Sequence, residues 1–196
     1  EKQSALQADC FTTVSSFTDR ECKQLLDKAA DVVLPNGFEN DFVPNRSAFT
    51  KVRREARKQI LKVAGALTGC EMPDDTLIVS TSGRNDYRCK GFDVFLESMA
   101  QLRAQLNEAN SEQQVLALIE VPCWLKGPRA DLQDRLKSKQ KATMPLPNPV
   151  ITHDLHNLND DRLVQEIWKL GLQHLPTDQV KVLLVPCSLA GNDGIF

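Results

Sequence analysis

Residues 76–121 read TLIVSTSGRNDYRCKGFDVFLESMAQLRAQLNEANSEQQVLALIEV, and the rhythm of that stretch sets the fold. Thr76–Thr81 is a β-rich run of strand length that reads as a buried-type strand. A polar loop holding Gly83, Arg84 and Lys90 interrupts it. Phe92, Phe95, Met99, Leu102 and Leu106 then recur at the spacing of one helical stripe. Gln114–Val121 is a second, continuous apolar strand, the kind covered on both faces. A strand, an amphipathic helix and another strand imply a parallel pair with a right-handed crossover.

The same alternation continues on both sides. Downstream, Lys126 to Ala142 is basic and helix-permissive and leads into the proline-rich loop Met144–Pro149. Val150–Thr152 reads as a short strand. Asp161–Leu170 reads as a helix with Leu163, Val164, Ile167 and Trp168 inward and Gly171 as its stop. Val180–Val185 closes the pattern as a strand. Upstream, Phe11–Val14 and Val32–Leu34 are short strands. The helix between them opens on a capping-box spacing, Thr18 to Glu21, with Cys22, Leu25, Leu26 and Ala29 on one face. Pro35-Asn36-Gly37 is a turn, and Asn40 to Asn45 a connector. Ala48–Leu67 carries Phe49, Val52, Ala56, Ile60, Ala64 and Leu67 at helical spacing. Its cations, Lys51, Arg53, Arg54, Arg57, Lys58 and Lys62, read as a solvated face sooner than as an anion site. The expectation is an α/β protein with a mainly parallel sheet and helices on both faces.

Composition narrows the function classes. The 196 residues suffice for one good-sized core, or for one domain plus part of another. A net charge of -2 and a pI near 6.0 exert no global pull on nucleic acid or anionic membrane. No apolar run approaches the roughly 18 residues needed to cross a bilayer. The first residue is Glu1, with no initiator Met and no charged-then-apolar leader, so the sequence reads as beginning inside a longer chain or after a processing boundary. Cysteines at 10, 22, 70, 89, 123 and 187 form no C-x-x-C pair, which points to reduced thiols in a cytosolic protein sooner than to zinc or disulfides.

In an open parallel sheet, ligands bind beyond the carboxyl ends of the strands. The loop Ser82–Gly91 has that position. Gly83 permits a tight exit from the strand, Arg84 offers a fork of donors to phosphate oxygens, and Lys90 stands where a helix N-terminus also favours anions. Two cations and a helix end would stabilise a diphosphate and the charge that grows on it as a sugar leaves. The plainer alternative pairs Arg84 with Asp86 or Asp93. Neither G-x-x-x-x-G-K-[ST] nor G-x-G-x-x-G occurs. His153 is a candidate cleft residue or a histidine fixing a strand end, and the second reading is favoured. His156 and His174 read as surface or capping residues, and three scattered histidines make no metal site. Asn36 and Gly37 are candidate cleft residues, although a turn needing positive φ explains them equally. Trp168 has core spacing, and Trp124 covers an edge or meets a partner.

Gly83-Arg84-Asn85-Asp86-Tyr87-Arg88-Cys89-Lys90-Gly91-Phe92-Asp93-Val94-Phe95-Leu96-Glu97 resembles the glycogen synthase block G-R-aromatic-E-x-x-N-K-G-x-D-x-F-x-E. Three further blocks follow the family's order. Phe11–Ser15 with Val33–Gly37 is similar to the end of its N-terminal domain, Pro149–Asp154 resembles P-x-x-T-H-N, and Asp178–Val182 resembles D-R-V-K. The resemblance implies a Rossmann-like sheet within a two-domain GT-B fold. Residues 1–45 would be the tail of the N-terminal domain and its connector, and 46–196 the first part of the C-terminal, donor-binding domain. It further implies a retaining transfer of glucose from UDP- or ADP-glucose to an α-1,4-glucan, with Arg84 and Lys90 on the donor diphosphate. No cofactor and no metal are implied, because the two cations take a metal's place at the leaving group. Partners would be nucleotide-sugar and α-glucan, with no nucleic acid or membrane and with a homo-oligomer open to the full-length protein. The family's catalytic carboxylates belong to a block beyond the Val180–Val185 strand that this sequence does not reach, so the chain is expected to be inert alone.

The departures are specific. Cys89 replaces the family's Asn, and Asp86 its loop Glu. The coiled-coil insertion is reduced to about Leu125–Asn148, so the tetramer of eukaryotic members does not carry over. The positions of their sugar-phosphate effector ligands hold Ser47, Thr50, Arg53 and Arg57. A non-catalytic Rossmann-like nucleotide-binding or assembly module is the alternative.

Overall fold

The computed structural model describes residues 1–37, 40–138, 141–173, 175 and 177–186, with the backbone alone at Phe42. The chain forms two compact units, Glu1–Phe49 and Thr50–Phe196. In the first, α1 (Lys2–Gln7) precedes a small βαβ arrangement. Strand β1 (Thr12–Thr13) pairs in parallel with β2 (Val32–Val33) through α2 (Ser16–Leu26). The cap of α2 is Ser15, whose hydroxyl accepts from the Thr18 amide at 3.0 Å. The helix therefore starts ahead of the expected Thr18–Glu21 box, and Thr18 is already inside it. Asp27, in the left-handed region, ends the helix and leaves Ala29 outside it. No residue of α2 is buried and Leu25 is exposed, so the expected apolar face is not sealed. Asn36 and Gly37 both keep negative φ, which removes the turn argument made for them. A 3-10 turn spans Asn40–Phe42.

Arg46–Thr68 forms α3. Its last turns bury Leu61, Val63, Ala64, Ala66 and Leu67, whereas Phe49 and Val52 remain exposed. Only the carboxyl half of the expected stripe is core. Among its cations, Arg57 binds the Asp74 carbonyl with Nε at 3.0 Å and Nη2 at 2.6 Å, and reaches the Thr76 carbonyl as well.

The main sheet runs in the order β3 (Leu77–Ser82), β4 (Val115–Val121), β7 (Val180–Pro186), all parallel. Helix α4 (Phe92–Glu108) crosses from β3 to β4. Alternation along β4 assigns its two faces. Val115, Ala117, Ile119 and Val121 join Phe92, Leu96 and Met99 of α4 and Leu163, Val164 and Ile167 of α6 (Arg162–Lys169). Leu116 and Leu118 join Leu61, Ala64 and Leu67 of α3 and Leu132 of α5 (Ala130–Lys137). Helices thus cover both faces, and the continuous apolar run of β4 has its reason. Strand β3 departs from the buried type expected of it. It lies at the sheet edge, with Leu77 51% exposed. On the α3 side of β7, Lys181 is fully buried and donates to the Asp178 carbonyl. Burial pushes its pKa down, with Cys70 and Asp178 partly opposing.

Between β4 and β7 the structure corrects two expectations. The Lys126–Ala142 region opens with a strand, β5 (Leu125–Pro128), before α5 begins. Val150–Thr152 is reduced to a single parallel bridge, Ile151 to Leu184, with the Leu184 amide donating to the Val150 carbonyl at 2.7 Å. The chain then forms β6 (His153–Leu155), antiparallel to β5. Among the described residues no helix is long and apolar enough to cross a membrane.

Candidate functional site

The loop that leaves β3 is built by its own backbone. The Gly83 amide extends the sheet by donating to Glu120 O at 3.2 Å. Asp86 N donates to Arg84 O, Lys90 N to Asp86 O at 3.0 Å, and Phe92 N to Tyr87 O at 3.0 Å. These bonds wind the segment back on itself and lay the Lys90 stem over Gly83. A Cβ on Gly83 would stand 3.3 Å from Lys90 Cδ. A side chain at Gly83 would require the flexible Lys90 stem to give by a few tenths of an ångström, and the present approach places Lys90 beside the residue preceding Arg84.

Arg84 and Lys90 are both exposed. Among the described residues neither forms an ion pair, so the alternative pairing of Arg84 with Asp86 or Asp93 is not made. Both cations act on the Cys89 thiol between them. Its pKa is nonetheless raised, first by a hydrogen bond to Asp86 and then by that carboxylate's charge, with Arg84 and Lys90 opposing. The thiol is held as a neutral group beside two free positive charges.

The loop is anchored from behind by α6. Asp161 caps that helix and is buried. Its Oδ1 accepts from the Leu163 and Val164 amides at 3.0 and 3.1 Å, and its Oδ2 accepts from Asn85 Nδ2 at 3.3 Å. Asn85 Nδ2 also lies 3.6 Å from Cys123 Sγ, just past β4. The Arg162 guanidinium stands 5.2 Å from the Tyr87 ring centre. Burial raises the Tyr87 pKa first, and the Glu166 charge adds to it. The helix end expected to help bind an anion is mostly committed. Phe92 N and Phe95 N have carbonyl partners, Val94 N bonds the Asp93 carboxylate, and that carboxylate already occupies the first turn of α4. Attraction for an anion therefore rests on the two side chains.

The other candidates lie elsewhere. Asn36 and Gly37 are exposed residues of the Glu1–Phe49 unit. His153 is 1% exposed, with Nδ1 2.8 Å from Thr152 Oγ1. His156 stacks on Trp124, a contact its sequence position gave no reason to expect. His174 and Cys187 lie outside the described residues. Among the described residues no group of three or more His, Cys, Asp or Glu side chains is placed to hold a metal ion. Sequence reading missed Arg129, which is buried and makes a two-pronged bond to Asp131 while donating to three carbonyls of the 147–151 segment. Its only sequence signal is the Arg-x-Asp spacing, which is common.

A parallel sheet clothed by helices on both faces, with a basic loop at the carboxyl end of one strand, defines a Rossmann-like α/β protein. The glycogen synthase profile matches residues 1–127, and the chain belongs to that family. Over its whole length it is 27% identical to the glycogen [starch] synthase of Neurospora crassa, of which it covers 35%. It is 34% identical to isoform 1 of the Saccharomyces cerevisiae enzyme, covering 36% of it, and 27% identical to the Homo sapiens liver enzyme, covering 35%. The chain thus spans about a third of the length of these relatives. The Neurospora alignment extends over 252 positions against 196 residues here, so the relative contains stretches with no counterpart in this chain.

Proposed function

We propose that this chain provides the donor-diphosphate grip of a glycogen (starch) synthase-type glycosyltransferase, within a two-domain GT-B enzyme. In that enzyme glucose passes from a nucleotide-glucose to the non-reducing end of an α-1,4-glucan with retention. The boundary between the two domains falls near residue 45. Arg84 and Lys90 hold the diphosphate as the sugar leaves. Their positive charge stabilises the leaving group without a metal or other cofactor, and Arg84 supplies paired N–H donors that a lysine would not. Nucleotide-sugar and α-glucan are the proposed partners, a homo-oligomer the assembly of the full-length protein, and the cytoplasm its compartment.

The observation that carries this reading is that both cations stand free in solvent at the carboxyl end of β3, with Lys90 folded back over Gly83. Solvated, unpaired charges are available to a ligand, whereas paired ones would first have to give up their partners. Calorimetric titration with UDP-glucose and ADP-glucose tests it. Arg84→Ala is expected to lose about 1–3 kcal/mol of binding, the range for a charge-assisted hydrogen bond. An unchanged affinity would remove Arg84 from the site.

A further inference from the structure

Asp161 is buried, and its carboxylate has more acceptor capacity than its helix uses. Capping α6 takes one oxygen, Oδ1, which accepts from the Leu163 and Val164 amides. A serine, threonine or asparagine would meet that need as well. The second oxygen, Oδ2, accepts from Asn85 Nδ2 at 3.3 Å, and among the described residues it has no other donor. The part of the carboxylate that the cap leaves over is therefore held by the basic loop.

Asn85 is the pivot of that loop. Asp86 N donates to Arg84 O at 2.7 Å, which makes Asn85 the central residue of a three-residue turn. Its side chain reaches two anchors, Asp161 ahead of α6 and Cys123 Sγ just past β4, the latter at 3.6 Å. Two residues on, Tyr87 has the Arg162 guanidinium 5.2 Å from its ring centre. Consecutive residues at the start of α6 thus hold alternate residues of the loop. Arg84 lies immediately before this clamp, exposed and with no ion pair among the described residues. With no such partner to steer it, its side chain takes its starting direction from the turn. Fixing that turn in advance removes an ordering cost that a bound diphosphate would otherwise have to meet.

We propose that Asn85 and Asp161 are positioning residues that aim Arg84 at the donor diphosphate by tying the loop to the start of α6. This rests on the reading of Arg84 and Lys90 as the diphosphate grip. Calorimetric titration of the full chain with UDP and UMP tests it in Asn85→Ala, Asp161→Asn, the two combined, and Arg84→Ala. Asp161→Asn keeps an oxygen for the cap and turns towards Asn85 an amide that cannot accept from it. Each of the two single variants is expected to weaken UDP about three- to tenfold, the cost of ordering one more side chain on binding. The double variant should be no weaker than the weaker single, because both changes remove the same bond. UMP should lose less than UDP, whereas a purely structural defect would lower both alike. Hydrogen exchange at the Asp86 and Lys90 amides, which close the loop on the Arg84 and Asp86 carbonyls, should quicken in the same variants. Weaker UDP binding in Arg84→Ala, but wild-type binding in Asn85→Ala and Asp161→Asn, would overturn the clamp and leave the grip standing. So would additive losses, or equal losses of UDP and UMP. Unchanged UDP affinity in Arg84→Ala would overturn the grip, and the clamp with it.

Discussion

Arg129→Leu is expected to destabilise the Thr50–Phe196 unit by about 3 kcal/mol, the low end of the cost of breaking a buried ion pair. The side chain is buried and saturated. Nε and Nη2 bind the two oxygens of Asp131 at 3.0 and 2.7 Å, and the remaining donors serve Pro147, Asn148 and Ile151 carbonyls at 2.6–3.1 Å. Leucine fills much of the volume but leaves those carbonyls and the Asp131 carboxylate without their donor. Asp131 is 42% exposed on its side chain and recovers water, which is why the low end applies. Arg129→Lys keeps the charge and loses the fork, so it should fall between the two. The variant should also change the acid limb. The hydrogen bond from Arg129, more than any other influence, holds the Asp131 carboxyl below its ordinary range. A depressed carboxyl pKa adds stability that is complete above the unfolded value near 4 and is lost as pH falls through the folded value. Urea unfolding at pH 7 and below pH 4 checks both points. Wild type should lose more stability on acidification than Arg129→Leu, and equal acid sensitivity would remove the Asp131 pair from the account.

Gly69→Ala is the second large effect, expected at about 3 kcal/mol from a left-handed backbone cost of about 1–2 and an overpacking cost of about 1–3. Gly69 has φ of 70° at the end of α3, and a Cβ there would fall on the backbone of Met144 and Pro145. That approach completes the end of the helix. Leu146 N donates to Leu67 O at 2.8 Å, and Arg135 Nη1 bridges Ala66 O and Met144 O at 2.9 and 2.6 Å. These bonds supply carbonyls that a helix end otherwise leaves unmet. Gly171 provides the control. Its φ is 66°, but among the described residues a Cβ there would meet only the Arg103 guanidinium, at 3.9 Å. Gly171→Ala should therefore cost about 1–2 kcal/mol, the backbone cost alone. Denaturant unfolding of both variants separates the clash from the conformation, and equal losses would contradict the docking of 144–146 on α3.

The parts of this fold legible from sequence were those set by local periodicity. Val115–Ile119 is an unbroken apolar run because both faces of its strand are covered, and no tertiary knowledge was needed to see that. Strand β3 looks similar in composition, yet its burial depends on strand order, which periodicity does not encode. Leu125-Lys126-Gly127-Pro128 has neither alternation nor β-branched residues, so the β5–β6 ribbon left no signature. Ser15 and Thr18 are both good caps, three residues apart. Ser15 takes the role with its hydroxyl on the Thr18 amide, so the helix is already under way at Thr18. At the candidate site the positions of Arg84 and Lys90 at the end of a strand were readable. The use of α4's first amides by Tyr87, Gly91 and Asp93 was not, because it depends on how the loop coils.

The proposed joint grip of Arg84 and Lys90 on a diphosphate is tested most directly by titration of the chain with UDP, UMP and uridine. Wild type should bind UDP more tightly than UMP and UMP more tightly than uridine, with the UDP advantage shrinking as salt is raised. In Arg84→Ala/Lys90→Ala the three affinities should converge. A UDP preference that survives in the double variant would place the diphosphate elsewhere and contradict the assignment.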